Sequence, residues 1–120
     1  MSMSFGNIVA RNVRQAKVFC PTGSWVQLVG VAGASAPLTG RAWIRIAPRG
    51  RDTIALALKY VLVDSTGAYT TPTSTAHDAT VIASTSIHVE PIGDSVAVFG
   101  RAVQRGGSSG GISVVVTEYA

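Results

Sequence analysis

Apolar and polar side chains alternate along much of this chain with a period of two, a pattern that favours strands over helices. In "RAWIRIA" (41–47), Arg41, Trp43 and Arg45 fall on one side while Ala42, Ile44 and Ile46 fall on the other, the repeat of an extended strand. In "DTIALALKYVLV" (52–63), Ile54, Leu56, Leu58, Tyr60 and Leu62 alternate with Ala55, Ala57, Lys59, Val61 and Val63. Ala and Leu alone would favour helix there. Val and Tyr at its end are β-formers, however, and the preceding "PRGRD" resembles a hairpin turn, so 53–63 is expected to be a strand.

Further strands are expected near 7–11, 13–20, 25–30, 80–83, 86–91, 95–103 and 111–119. Most are separated by turn-forming clusters: "PTGS", "AGASAPLTG", "DSTGAYTTPTSTAHD" and "EPIGD". Short strands punctuated in this way predict an antiparallel sandwich or barrel of about eight strands. No amphipathic helix, fixed-period repeat or interdomain linker is evident. The 120 residues suit a single domain, 1–120, which at this size buries about 65% of its unfolded surface.

The link "RGGSSGG" (105–111) is the nearest thing to a chemical motif. A phosphate-binding loop runs from a strand into a helix, so that amide N–H groups and the helix dipole converge on the anion. Here the glycines lead into "GISVVVTEY", which is β-branched in its middle, and no Lys-Ser or Lys-Thr pair follows. The link is expected to be a hairpin tip, with glycines supplying positive φ.

Charge is sparse and unevenly placed. Charged residues are 13% of the chain, against about 25% in an ordinary soluble domain, which leaves much neutral surface for partners. Residues 1–60 carry eight basic side chains against Asp52 alone, whereas residues 61–120 carry two against five carboxylates. Such polarity suits contact with another protein or with nucleic acid. The alternative is that the charges pair internally, with Asp52, Glu90 or Asp94 as the acids.

Cys20 is the single cysteine. It therefore allows neither an intrachain disulfide nor a cysteine-built zinc cluster, and reads as a small buried hydrophobe. The N-terminal residues lack a signal-peptide h-region and no run approaches the length of a membrane span. The expectation is a protein made in the cytoplasm that stays soluble or assembles there. His77-Asp78 lies in a polar loop, and His88 and Glu90 share one face of a strand, but neither has metal-ligand company at a signature spacing. No G-x-S-x-G nucleophile turn occurs. The expectation is a non-enzyme with no metal and no cofactor.

The C-terminal stretch "SIHVEPIGDSVAVFGRAVQRGGSSGGISVVVTEYA" resembles the ending of small phage virion proteins, where an apolar strand and a glycine-containing turn lead to a terminal strand of the type V-x-V-x-E-Y. "VRQAKVFCPTGSWVQLVG" and "GRAWIRIAPRGRDTIAL" are similar to their early strands, and the long "DSTGAYTTPTSTAHD" loop departs from the common form. The resemblance implies a jelly-roll-like β-sandwich acting as a cement or decoration protein on a bacteriophage capsid. The partner would be the major capsid protein and the location the capsid surface of the virion; the family offers no catalytic residues to carry over.

Unpaired strand edges invite association, so a homo-oligomer is expected, a homodimer before a trimer. The expected partner-binding patch is Arg41, Trp43, Arg45, Arg49 and Arg51, with Arg41 and Arg45 on one strand face and Arg49 and Arg51 at the turn that follows. The same residues could combine phosphate contacts with stacking, as in single-strand-binding barrels. A nucleic-acid-binding β-barrel module is therefore the competing expectation.

Overall fold

The computed structural model describes residues 3–5, 8–10, 12–29, 37–49, 54–66, 69–82, 87–104 and 110–120. Ten strands and no helix occur among them: β1 (Met3–Phe5), β2 (Ile8–Ala10), β3 (Val13–Pro21), β4 (Val26–Gln27), β5 (Trp43–Arg49), β6 (Ile54–Leu62), β7 (Ala79–Ile82), β8 (His88–Glu90), β9 (Val96–Gln104) and β10 (Gly111–Tyr119). β1 and β2 form a small antiparallel hairpin. The other eight form two four-stranded antiparallel sheets, ordered β3-β10-β5-β8 and β4-β9-β6-β7.

The pairing is nested. β3 pairs with β10, β4 with β9, β5 with β8 and β6 with β7, as though one long hairpin had been rolled up. The two sheets are then closed by β10 against β5 and β9 against β6. This is the jelly roll, eight strands in two facing sheets, and it bears out the expected all-β sandwich. Of the expected 53–63 segment, Ile54–Leu62 is a strand, as its alternation predicts, and β10 coincides with the expected 111–119.

Two turns differ from expectation. "PRGRD" and the glycine-rich link were expected to be hairpins, yet each joins strands that lie in different sheets: β5 to β6, and β9 to β10. Local alternation reveals a strand but not its partner. In a nested topology the partner is usually remote in sequence. Among the eight sandwich strands only β6 and β7 are both consecutive and paired. Residues 50–53 and 105–109, at the centres of those two links, lie outside the described residues. The strand expected over 7–11 instead begins a residue later as β2, and β1 precedes it.

The core lies between the sheets. Cys20, Ile44, Ile46, Ile112, Val114 and Val116 come from one sheet, and Leu56, Leu58, Val98 and Ala102 from the other; all are buried. Leu28 joins them just beyond β4, its N–H donating to the Val98 carbonyl at 2.8 Å. Core side chains close over Gly100: a Cβ there would lie 2.9 Å from Leu28 Cδ1 and 3.2 Å from Cys20 Sγ. Phe99, one residue away, therefore faces outward from its sheet.

Candidate interaction surface

Arg41 does not belong to a surface patch. β5 begins at Trp43, and Arg41 lies before it, 3% exposed. A turn sets this direction: the Arg41 N–H donates to the Leu38 carbonyl at 2.9 Å, with Gly40 at φ 74°, a conformation that favours glycine. The guanidinium then points inward. Nε donates to the Ile92 carbonyl at 3.0 Å, Nη1 to Glu118 Oε1 at 3.1 Å, and Nη2 to the carbonyls of Gly93 and Val96. Glu118, also buried, accepts from the Leu38 N–H at 3.0 Å and from Arg14 Nε at 2.8 Å. Burial pulls the Arg41 guanidinium below its ordinary value against the opposing charge and hydrogen bond of Glu118. The internal-pairing alternative thus holds for Arg41, although its carboxylate is Glu118 and not Asp52, Glu90 or Asp94. Alternation alone placed Arg41 with Arg45 because it cannot show where a strand starts.

Trp43, Arg45 and Arg49 do share one face. Ile44, Ile46 and Pro48 are buried on the core side of β5, while Trp43 and Arg45 are half-buried and Arg49 is exposed on the outer side. Arg51 lies outside the described residues. Register extends the outer face across the sheet: Arg45 stands beside Thr117 and Val89, Ala47 beside Val115, and Arg49 beside Ser113. From β3, Gln15, Lys17 and Phe19 complete these rows.

The residues that sequence reasoning missed lie on the same face. Phe19 is 58% exposed and Val89 48%, and Ile87 at 58% lies just before β8 in the same alternation. The "KVFC" alternation could have found two of them. Once Cys20 and Val18 are taken as core, Lys17 and Phe19 must face outward. Among the described residues, Lys17, Arg45 and Arg49 have no ion pair. The described carboxylates all sit elsewhere. Asp64 and Asp78 flank the β6–β7 connection, Asp94 lies in the turn before β9, and Glu90 and Glu118 alternate with the outward residues of their strands.

The outer face of the other sheet is different, because the chain covers it. Residues 69–78 of the β6–β7 connection lie against it, with Tyr69 edge-on to Phe99 at 5.9 Å between ring centroids. Trp25 donates from Nε1 to the Ser74 carbonyl at 2.6 Å, and the Arg101 guanidinium lies 5.2 Å from the centroid of the Trp25 ring. The long polar loop is therefore a cover for β9 and its neighbours. A surface depression of about 300 Å³ opens beside it, lined by Val61, Leu62, Asp64, Tyr69 and Thr70.

The remaining titratable groups are tied into the framework. Tyr60 of β6 donates its hydroxyl to Glu90 Oε2 at 2.5 Å, and His88 Nε2 lies 2.5 Å from the same oxygen. This cluster bridges the two sheets at the β8 edge. Burial, followed by the Glu90 hydrogen bond and charge, holds the Tyr60 phenol above its usual range. Desolvation pushes the Cys20 thiol up to about 12, so at neutral pH it stays protonated and a poor nucleophile. Among the described residues no group of three or more His, Cys, Asp or Glu side chains could hold a metal ion. No helix among the described residues is long and apolar enough to cross a membrane.

Comparison of the chain with protein-family models, curated proteins and solved structures finds no match.

Proposed function

We propose that the chain is a structural virion protein: a non-catalytic cement or decoration protein that binds the outer surface of a phage capsid and stabilises contacts between shell subunits. The observation that carries this reading is the outer face of the β3-β10-β5-β8 sheet. It exposes Phe19, Ile87 and Val89 beside Lys17, Arg45 and Arg49, while the opposite sheet is covered by the chain's own loop. Phe19 stands at the β3 edge of this face and Ile87 and Val89 at its β8 edge, and exposed apolar side chains on one face rimmed by charge mark interaction surfaces. The resemblance of the C-terminal strands to virion proteins supplies the capsid setting and the major capsid protein as partner.

Self-association, where it occurs, belongs to the edge of β3. That strand has nine residues, while β4, β7 and β8 at the other three edges have two to four, and long edges template pairing. A homodimer through β3 would leave the sheet face open for the shell. The nucleic-acid reading keeps one supporting observation: Arg45 and Arg49 share their face with Trp43 and the exposed Phe19, a mixture of cations and rings that single strands use.

The deciding experiment adds the purified protein to empty capsid shells that lack it, and measures co-sedimentation and the thermal midpoint of shell disassembly. Saturable binding with a raised midpoint is expected. Absence of binding, together with tight and steeply salt-dependent binding to oligo(dT), would transfer the function to the nucleic-acid reading.

A further inference from the structure

We infer that the outer face of the β3-β10-β5-β8 sheet is built for a protein surface on which carboxylates flank apolar side chains, and not for a second copy of itself or for nucleic acid. The inference rests on the proposed binding role and gives that role a chemistry.

Charge makes the first argument. Lys17, Arg45 and Arg49 place three cations on the face, and no described carboxylate shares it. The described acids are already engaged elsewhere. Glu118 holds Arg41 and Arg14, and Glu90 holds Tyr60 and His88. Asp94 accepts from the Gly40 N–H, Asp78 from the Tyr60 N–H, and Asp64 from Thr66. A two-fold contact of this face with itself would set like charges against each other with nothing between them to neutralise the repulsion. An acidic partner reverses the sign of that interaction, and the Arg45 and Arg49 forks suit carboxylates bidentately.

The apolar component makes the second argument. Ile87 and Val89 are branched aliphatics, 58% and 48% exposed, and offer nothing to a phosphate. A single-strand track depends on closely spaced aromatic platforms, whereas the exposed Phe19 and the half-buried Trp43 of this face stand six residues apart in register, beside Ser113 and Tyr119 of β10. Aliphatic surface gains by being taken from water against other apolar surface, which a protein supplies.

Size sets the expected strength. Four strands about 4.8 Å apart and a seven-residue strand rising about 3.3 Å per residue give a face of about 400 Å². That is half of the about 800 Å² per partner of a standard stable interface. One copy should therefore bind weakly, with tight attachment coming from many copies on a repeating lattice.

The test uses the isotope-labelled protein and two probes: an amphipathic helical peptide with a leucine stripe flanked by glutamates, and oligo(dT). At about 150 mM salt, where exposed charges beyond about 8 Å are screened, the peptide should shift amide resonances of outward-facing residues on β3, β5, β8 and β10. Arg45→Glu with Arg49→Glu, and separately Phe19→Ser with Val89→Ser, should each weaken the peptide about tenfold or more. Both variants alter exposed or half-buried side chains, and far-UV circular dichroism checks their fold. Sedimentation velocity should show the same oligomeric state for parent and charge-reversed protein.

Three results would overturn the inference: peptide shifts centred elsewhere, oligo(dT) binding tighter than the peptide, or an oligomer lost on charge reversal. Shell binding that survives both double variants would refute this docking face while leaving the cement role standing. Peptide binding as described without any shell binding would keep the face and remove the capsid role.

Discussion

Arg41 and Glu118 show how a single buried pair can organise four parts of the chain. Arg41 comes from the turn before β5, its carbonyl partners Ile92, Gly93 and Val96 from the approach to β9, Glu118 from β10, and Arg14 from β3. All of the guanidinium nitrogens are used, which is the condition under which a buried charge is tolerated. Arg41→Met is expected to cost about 3 kcal/mol or slightly more, the low end for breaking a buried pair, because Arg14 still holds Glu118. Arg14 is 26% exposed, so Arg14→Met should cost only about 1 kcal/mol. Urea denaturation checks both, and equal losses would show that burial does not set the difference. In sequence, Arg41 was indistinguishable from Arg45, since both lie at even spacing in "RAWIR". What separates them is a turn closed by Gly40 and a carboxylate 77 positions away. Neither is visible in a local window.

At the scale of elements, alternation was legible and partnership was not. β6, β9 and β10 could be read nearly to their ends because each carries nine residues of sustained pattern; β4 and β8, with two and three, lie within the expected 25–30 and 86–91 but are shorter. β8 is held to the opposite sheet by a side-chain bridge, which gives a pH prediction. Desolvation pushes the Glu90 carboxyl up, but hydrogen bonds from Tyr60 and His88 and the His88 charge outweigh it, leaving Glu90 below its ordinary value of 4.5. A carboxyl depressed on folding contributes stability above its unfolded pKa, and that contribution fades as pH falls through the folded value. The stability difference between the parent and Glu90→Gln should therefore shrink as pH falls below about 4.5. Urea titrations of both proteins from pH 7 to pH 3 measure it. A difference that grows between pH 4.5 and pH 3 would contradict the bridge. The same pairing explains why His88 and Glu90 looked like candidate chemistry: their spacing on one face is real, and its use here is to fasten an edge strand.

For the whole molecule, the nested pairing dictates how the chain can fold. β3 waits for β10, β4 for β9, and β5 for β8 and β10; of the eight sandwich strands, only β6 and β7 can pair before residue 88 is present. Arg14 and Glu118, 104 residues apart, illustrate the loop that must close. Closing long loops before non-local contacts repay the entropy makes such topologies slow, so refolding from urea should take longer than about 10 ms. The core offers no half-way house, because its two layers are Ile44, Ile46 and Val114 on one side and Leu56, Leu58 and Val98 on the other, drawn from both halves of the sequence. A chain ending at residue 104 would lack β10, the strand between β3 and β5. It should show no cooperative urea transition, whereas the full chain should unfold in one step with fluorescence of its two tryptophans and far-UV signal coincident. The outer face of the β3-β10-β5-β8 sheet depends on that same strand, because β10 sets Phe19, Lys17 and Gln15 on β3 in the rows of Arg49, Ala47 and Arg45 on β5. A truncated chain that kept a cooperative transition would mean that the β4-β9-β6-β7 layer is stable alone. The docking face would then be an addition to the core and not a consequence of it. Loss of the transition together with loss of peptide binding would show that fold and face arise in one closing step.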